Sequence, residues 1–203
     1  MRMIGKLIAA TTMLTLASFA QAQTTTQAPA QAQSSSGGDN IMSHMINAAS
    51  AGNWSFRPDR PRPQVVPSNY AQFNQALRMH VAHPTPNPWD AQASSPVGAA
   101  IKQGDVILVA LYARAQEPAT GASLPISIQL GDAPYTTLIS GERHVTGDWA
   151  QVCISGVAGQ DLPVHSFVNV NLGTATQTID FGPVLVFDFG PGFDQTRLPN
   201  CNQ

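Results

Sequence analysis

Only 11% of the 203 residues are charged, and the chain holds just two glutamates, Glu117 and Glu142. Glycoside hydrolysis in its usual form needs two carboxylates facing each other across a cleft, and no Asp here stands in a recognisable catalytic setting. A G-x-S-x-G elbow is missing, as are an H-E-x-x-H helix and a phosphate-cradling glycine loop. The five histidines are scattered singly. The sequence therefore points away from an enzyme. Basic residues are equally scarce: ten Lys and Arg against twelve Asp and Glu leave a formal charge of -2, without the positive footprint that nucleic acid demands. Two cysteines without C-x-x-C spacing supply neither a thiolate zinc site nor a redox pair. After the first residues, no apolar run approaches the roughly 18 needed for a membrane helix.

What is present begins with an address. Arg2 and Lys6 precede an apolar run from Leu7 to Phe19, and Ala20-Gln21-Ala22 has the small-x-small form of a signal-peptidase site. Residues 1–22 are expected to be a signal peptide cleaved after Ala22, giving a secreted or periplasmic protein. Residues 23–40 are low-complexity sequence, too poor in apolar side chains to offset the entropy of ordering, and read as a flexible linker. The folded domain is expected over 41–203. Asp39 to Ser50 suggests a short helix capped by Asp39 or Asn40. Phe56 to Pro67 holds Arg57, Arg60 and Arg62 among four prolines, and reads as an extended surface arm.

With 16 Gly and 16 Pro as punctuation and 43% hydrophobic residues, the remainder reads as one all-β domain of short strands. The longest is IKQGDVILVALYARA, residues 101–115. Alternation puts Ile107, Val109, Leu111 and Ala113 on a core face, and Val106, Leu108, Ala110, Tyr112 and Arg114 on the other, which opens to a groove at its end. Leu77, Met79 and Val81 face inward from ALRMHVAH, and 83–96 reads as a loop carrying Trp89. Leu124, Ile126, Ile128 and Leu130 line one face of the next strand, with Ser127 and Gln129 opposite. A further strand is expected near Tyr135 to Glu142, then one in which Val152 and Ile154 alternate with Gln151 and Cys153. From Val164 to Leu172, Val164, Ser166, Val168 and Val170 are expected inside, with His165, Phe167, Asn169 and Asn171 displayed. Gly182-Pro183 breaks the last strand pair with a bend or bulge.

In an exported chain, Cys153 and Cys201 suggest a disulfide that pins the tail; the alternative is two unpaired thiols.

The succession ALRMHV, NPWD, IKQGDVILVALYARA, ISIQL, VTGDWAQVCISG, FVNVNLG and QTIDFGPVLVF, over about 76–190, resembles the jelly-roll carbohydrate-binding modules attached to bacterial xylanases and cellulases. The resemblance implies an antiparallel β-sandwich of the galactose-binding-like kind. It also implies a polysaccharide or oligosaccharide held along a concave sheet by aromatic stacking and hydrogen bonds. Trp89 and Tyr135 stand near the stacking aromatics of xylan-binding relatives. Tyr112, Arg114, Gln129, His165, Asn169 and Asn171 add the mixture of planar surface and fixed polar groups that desolvated hydroxyls require. Xylan-binding relatives place an arginine shortly before that tryptophan, where this chain has His83, Pro84 and Thr85.

Each of these residues also has a plainer reading. Trp149 is assigned to the core; Trp89 could plug one end of the sandwich; Arg114 could pair with Asp105 or Glu142. Asp180 and Asp188 are the candidates for a structural calcium, since hard cations take oxygen ligands; no other cofactor is expected. A monomer is expected. Two functions stand: a non-catalytic glycan-binding module, or a structural or protein-interaction sandwich of the cell envelope with no glycan ligand.

Overall fold

The computed structural model describes residues 40–57, 62–199 and 201. The expected signal peptide, and the linker apart from Asn40, lie outside them. Ten strands follow in order: β1 (Ser55–Arg57), β2 (Gln64–Pro67), β3 (Gln75–Val81), β4 (Gln92–Pro96), β5 (Asp105–Glu117), β6 (Ala122–Leu130), β7 (Thr137–Val145), β8 (Ala150–Val157), β9 (Ser166–Asn171) and β10 (Gln177–Pro191). They form two antiparallel five-stranded sheets, one ordered β1-β4-β9-β6-β7 and the other β2-β3-β10-β5-β8. The fold is thus an all-β sandwich, as the sequence reading expects.

Strand periodicity explains the core. Ile107, Val109, Leu111 and Ala113 of β5 are each no more than 1% exposed, and they meet Leu124, Ile126 and Ile128 of β6 and Val168 and Val170 of β9 in one cluster. Trp54 and Phe56 close it against Phe181, at ring-centroid distances of 5.1 and 6.1 Å. The Gly182-Pro183 signal appears as a register shift between Phe181 and Val184 within one continuous β10. The carbonyl freed by that bulge accepts a 2.7 Å bond from Trp54 Nε1, so the irregularity is satisfied rather than wasted.

Several expectations are corrected. Residues 92–96, read as part of a loop, form β4, pairing with β1 on one side and β9 on the other. The arginine-proline arm instead supplies two edge strands, β1 to one sheet and β2 to the other. Val164 is 59% exposed because β9 begins only at Ser166, so the inward parity does not extend back to it. The short helix is a single 3-10 turn over Ile41–His44, capped by Asn40, whose side chain accepts from Met42 N.

The outer face of the β5 sheet is covered. Leu108, Ala110, Cys153 and Phe187 pack beneath Ile41 and Met45 of the N-terminal segment and Leu198 of the tail. Asn47 fastens the segment by donating to Val184 O at 2.9 Å and accepting from Val186 N at 2.8 Å. The tail is tied by the Cys153–Cys201 disulfide.

Candidate functional site

The outer face of the other sheet is open, and its residues follow from register. One cross-strand row runs Ser55, Ser94, Asn169, Ser127, Ser140 from β1 to β7. Four of the five are serines, so the row forms a low floor crossing the sheet. Two positions along on one side, Arg57 pairs with Gln92 and Gln92 with Asn171; on the other side, Phe167 pairs with Gln129 and Gln129 with Thr137. Arg57 and Gln92 on one side and Phe167 and Gln129 on the other are the longer side chains and stand as walls, about 14 Å apart at roughly 3.4 Å per strand residue. The result is a groove of about 620 Å³.

A hydrogen-bond chain crosses this groove from wall to wall. Gln92 Nε2 donates to Asn171 Oδ1 at 2.8 Å, and the single Ser94 Oγ hydrogen lies within reach of both Asn169 Oδ1 at 2.7 Å and Gln92 Oε1 at 3.1 Å, serving one at a time. Asn169 Nδ2 donates to Gln129 Oε1 at 3.0 Å, and Gln129 Nε2 to the Tyr135 carbonyl at 2.6 Å. Each amide is oriented by its neighbour, so the spare donors and lone pairs facing solvent have fixed directions before any ligand arrives.

An exposed aromatic ring stands at each rim. Trp89, 53% exposed, sits on a 3-10 turn over Pro88–Asp90. That turn is clamped: Asp90 Oδ2 accepts from Asn87 N and Nδ2, each at 3.1 Å, and Gly173 N donates to the Pro88 carbonyl at 3.0 Å. A Cβ on Gly173 would lie 2.8 and 2.9 Å from the carbonyls of Pro88 and Asn87, so only glycine lets the loops approach this closely. Tyr135, 56% exposed, lies in the turn before β7 with φ +55°. A left-handed tyrosine costs on the order of 1–3 kcal/mol and persists only where its surroundings hold it. Here Tyr135 N donates to Asp132 O at 2.7 Å, and the Gln129 amide grips its carbonyl. His165 and Phe167 meet edge to face at 5.2 Å beside it, and His165 Nε2 lies 3.5 Å from Asp132 Oδ2, both largely exposed.

Six of the eight candidate ligand residues therefore come together: Trp89, Tyr135, Gln129, His165, Asn169 and Asn171 line one groove. Tyr112 and Arg114 do not. Their outward parity on β5 holds, but β5 belongs to the other sheet. Tyr112 packs under Tyr70 and Phe73 at 5.5 and 5.4 Å, and burial pushes its hydroxyl above the ordinary value. The Arg114 guanidinium lies 4.8 Å from the Trp149 ring centre, and its Nε is 3.0 Å from Asp180 Oδ2. Trp149 is in this outer cluster, half-buried, rather than in the core. Neither alternative partner of Arg114, Asp105 or Glu142, is used.

The calcium candidates are also apart, eight positions from each other on β10. Asp180 is fully buried with both oxygens engaged: Arg78 Nε at 2.6 Å and Nη2 at 2.9 Å, and Arg114 Nε at 3.0 Å. Two guanidinium groups already neutralise it and would repel a cation. Asp188 accepts from Gly190 N at 2.8 Å, and burial, together with neighbouring Asp105, pushes its carboxyl above the ordinary range. Among the described residues no group of three or more His, Cys, Asp or Glu is arranged to hold a metal ion.

Sequence reasoning missed Ser55, Arg57, Gln92 and Ser94 in the groove. The alternation in QASSPV, with Ala93, Ser95 and Val97 buried, was the available signal for two of them. Arg57 was hidden among prolines.

No family model and no curated protein matches the sequence. Solved structures do. The N-terminal cellulose-binding domain of Cellulomonas fimi β-1,4-glucanase C matches with a TM-score of 0.53 at 16% identity, over 70% of this chain and 95% of that one. The CBM22-1 xylan-binding domain of Paenibacillus barcinonensis Xyn10C matches with a TM-score of 0.51 at 14% identity, over 73% and 94%. The CBM22-1–GH10 modules of Clostridium thermocellum endo-1,4-β-D-xylanase 10B, complexed with xylohexaose, match at 0.54 and 11% identity, over 72% of this chain and 29% of that one. The chain has the β-sandwich fold of carbohydrate-binding modules.

Proposed function

We propose that this is an exported, non-catalytic carbohydrate-binding protein that holds a polysaccharide or oligosaccharide in the groove across the β1-β4-β9-β6-β7 sheet. The observation that carries the reading is the groove's composition: a pre-ordered amide and hydroxyl floor between two exposed aromatic rings, Trp89 and Tyr135. Sugar rings present apolar faces to aromatics and hydroxyl edges to amides, and oriented donors repair the bonds that hydroxyls lose on leaving water. The groove crosses four strands, β1, β4, β9 and β6, a length that suits an oligosaccharide segment rather than one sugar. No Asp or Glu among the described residues lines it, so the facing carboxylate pair of the common glycosidase mechanism is not built there. The cellulose- and xylan-binding domains of the same fold agree with this reading.

The test is affinity electrophoresis and depletion against a panel of plant and bacterial polysaccharides, with calcium and with chelator. Retardation by at least one glycan is expected, insensitive to chelator. Trp89→Ala and Tyr135→Ala should each weaken binding at least tenfold while shifting unfolding free energy by less than about 0.5 kcal/mol, as exposed positions do. Silence across the panel from folded protein would transfer the weight to the envelope-interaction reading.

A further inference from the structure

We infer that the groove selects polysaccharides carrying carboxylate groups, with Arg57 as the residue that pairs with them; the inference rests on the glycan-binding reading above. Electrostatic asymmetry is the first support. The whole chain carries -2, yet the groove lining holds one fixed cation, Arg57, and no carboxylate among the described residues. The partners of the other strand arginines are the second. Arg78 and Arg114 are taken by Asp180, and Arg143 is held by the carbonyls of Cys153 and Glu142 at 2.6 and 2.7 Å; Arg62, also exposed, does not line the groove. Arg57 is exposed, and no protein oxygen among the described residues bonds or pairs with it.

The nearby carboxylates are otherwise engaged. Asp90 is turned toward Asn87, and Asp132 sits by His165 on the opposite wall. Hydrogen-bond direction adds a third support. The side-chain oxygens of Asn171 and Gln129 each accept a bond from a neighbour, and those of Asn169 and Gln92 share the one Ser94 hydrogen, whereas the Asn171 amide hydrogens have no protein acceptor among the described residues. The wall formed by Arg57, Gln92 and Asn171 is therefore richer in donors than in acceptors. A guanidinium fork beside spare amide hydrogens matches a planar carboxylate better than a hydroxyl, because the paired N–H groups meet both oxygens at once. Position completes the argument. Arg57 lies on β1, an edge strand, so a charged substituent branching from a chain seated on the floor reaches it without crossing another wall.

The test compares glucuronoxylan and polygalacturonate, each before and after chemical reduction of its carboxyl groups to alcohols, by titration calorimetry on the full protein. At low salt, at least one native acidic polymer should bind about fivefold or more tighter than its reduced form, and the difference should shrink as salt screens the pair. Arg57→Gln should erase the difference and Arg57→Lys retain part of it, with Trp89→Ala weakening both forms alike. Equal binding of native and reduced polymers, or a preference that survives Arg57→Gln, overturns the inference. So does failure of all four polymers when a neutral glycan from the wider panel binds, an outcome that leaves the glycan-binding reading intact. Silence toward every glycan defeats both.

Discussion

The two outer faces of this sandwich are built from similar residues and put them to opposite use. On the β5 sheet, aromatic rings and arginines turn toward each other: Tyr70, Phe73, Tyr112 and Trp149 share edges, and Arg78 and Arg114 close on a buried Asp180. On the other sheet, Trp89, Tyr135 and Arg57 stand apart with their faces in solvent, above amides that are oriented but not saturated. An aromatic or guanidinium group on a strand is therefore not a site by itself. What distinguishes the two faces is whether the protein supplies the partner.

The sharpest way to break this comparison is to remove a partner on the covered face. Asp180→Ala leaves two arginines facing each other around a buried hole, and loss of one member of a buried ion pair costs about 3–5 kcal/mol. Denaturant unfolding should show a loss of that size, while the affinity of the still-folded fraction for glycan stays within twofold. A smaller effect should come from Asp188. Burial first, and then Asp105, raise its carboxyl above the ordinary 3.8, against the lowering by the Gly190 N–H and His44. The folded state thus holds this proton to higher pH than the unfolded chain does. Its contribution to stability is fully present below the unfolded value and declines as pH rises through the folded one. Asp188→Asn should flatten that decline in a series of urea midpoints from pH 4 upward, without altering glycan binding. A decline of unchanged slope in the variant would assign it to another group.

How much of this was legible beforehand depends on what alternation can say. Period-2 patterning placed Ile107, Val109, Leu111, Ile126, Ile128, Val168 and Val170 in the core. It also sent Tyr112, Arg114, Asn169 and Asn171 outward. A sandwich has two outsides, however, and nothing local tells them apart. Sheet membership is fixed by long-range pairing, which puts β5 beside β10 and β8 but β9 between β4 and β6. That is why alternation alone groups Tyr112 and Arg114 with groove residues that lie on the other sheet. Proline concealed the rest. Arg57 sits in an edge strand followed by a proline-rich stretch, and Gln92 and Ser94 in a strand flanked by Pro88 and Pro96, where a proline costs no ladder bond because one side of the pairing is open or ending. Trp149 was misplaced by size alone: a large ring can be half-covered by Phe73 and Arg114 on a sheet's outer face without entering the core.

The three tryptophans offer the most direct test, because each reports one region: Trp54 in the core, Trp149 on the covered face and Trp89 at the groove. Their indole N–H signals should be resolved in a proton–nitrogen correlation spectrum and followed while a bound oligosaccharide is titrated in. The account predicts that the Trp89 signal shifts with saturation, together with the side-chain amides of Gln92, Asn169 and Asn171, and that Trp54 and Trp149 stay where they are. A saturating shift of Trp149 with Trp89 unmoved would contradict it, and would put the ligand on the face described here as closed.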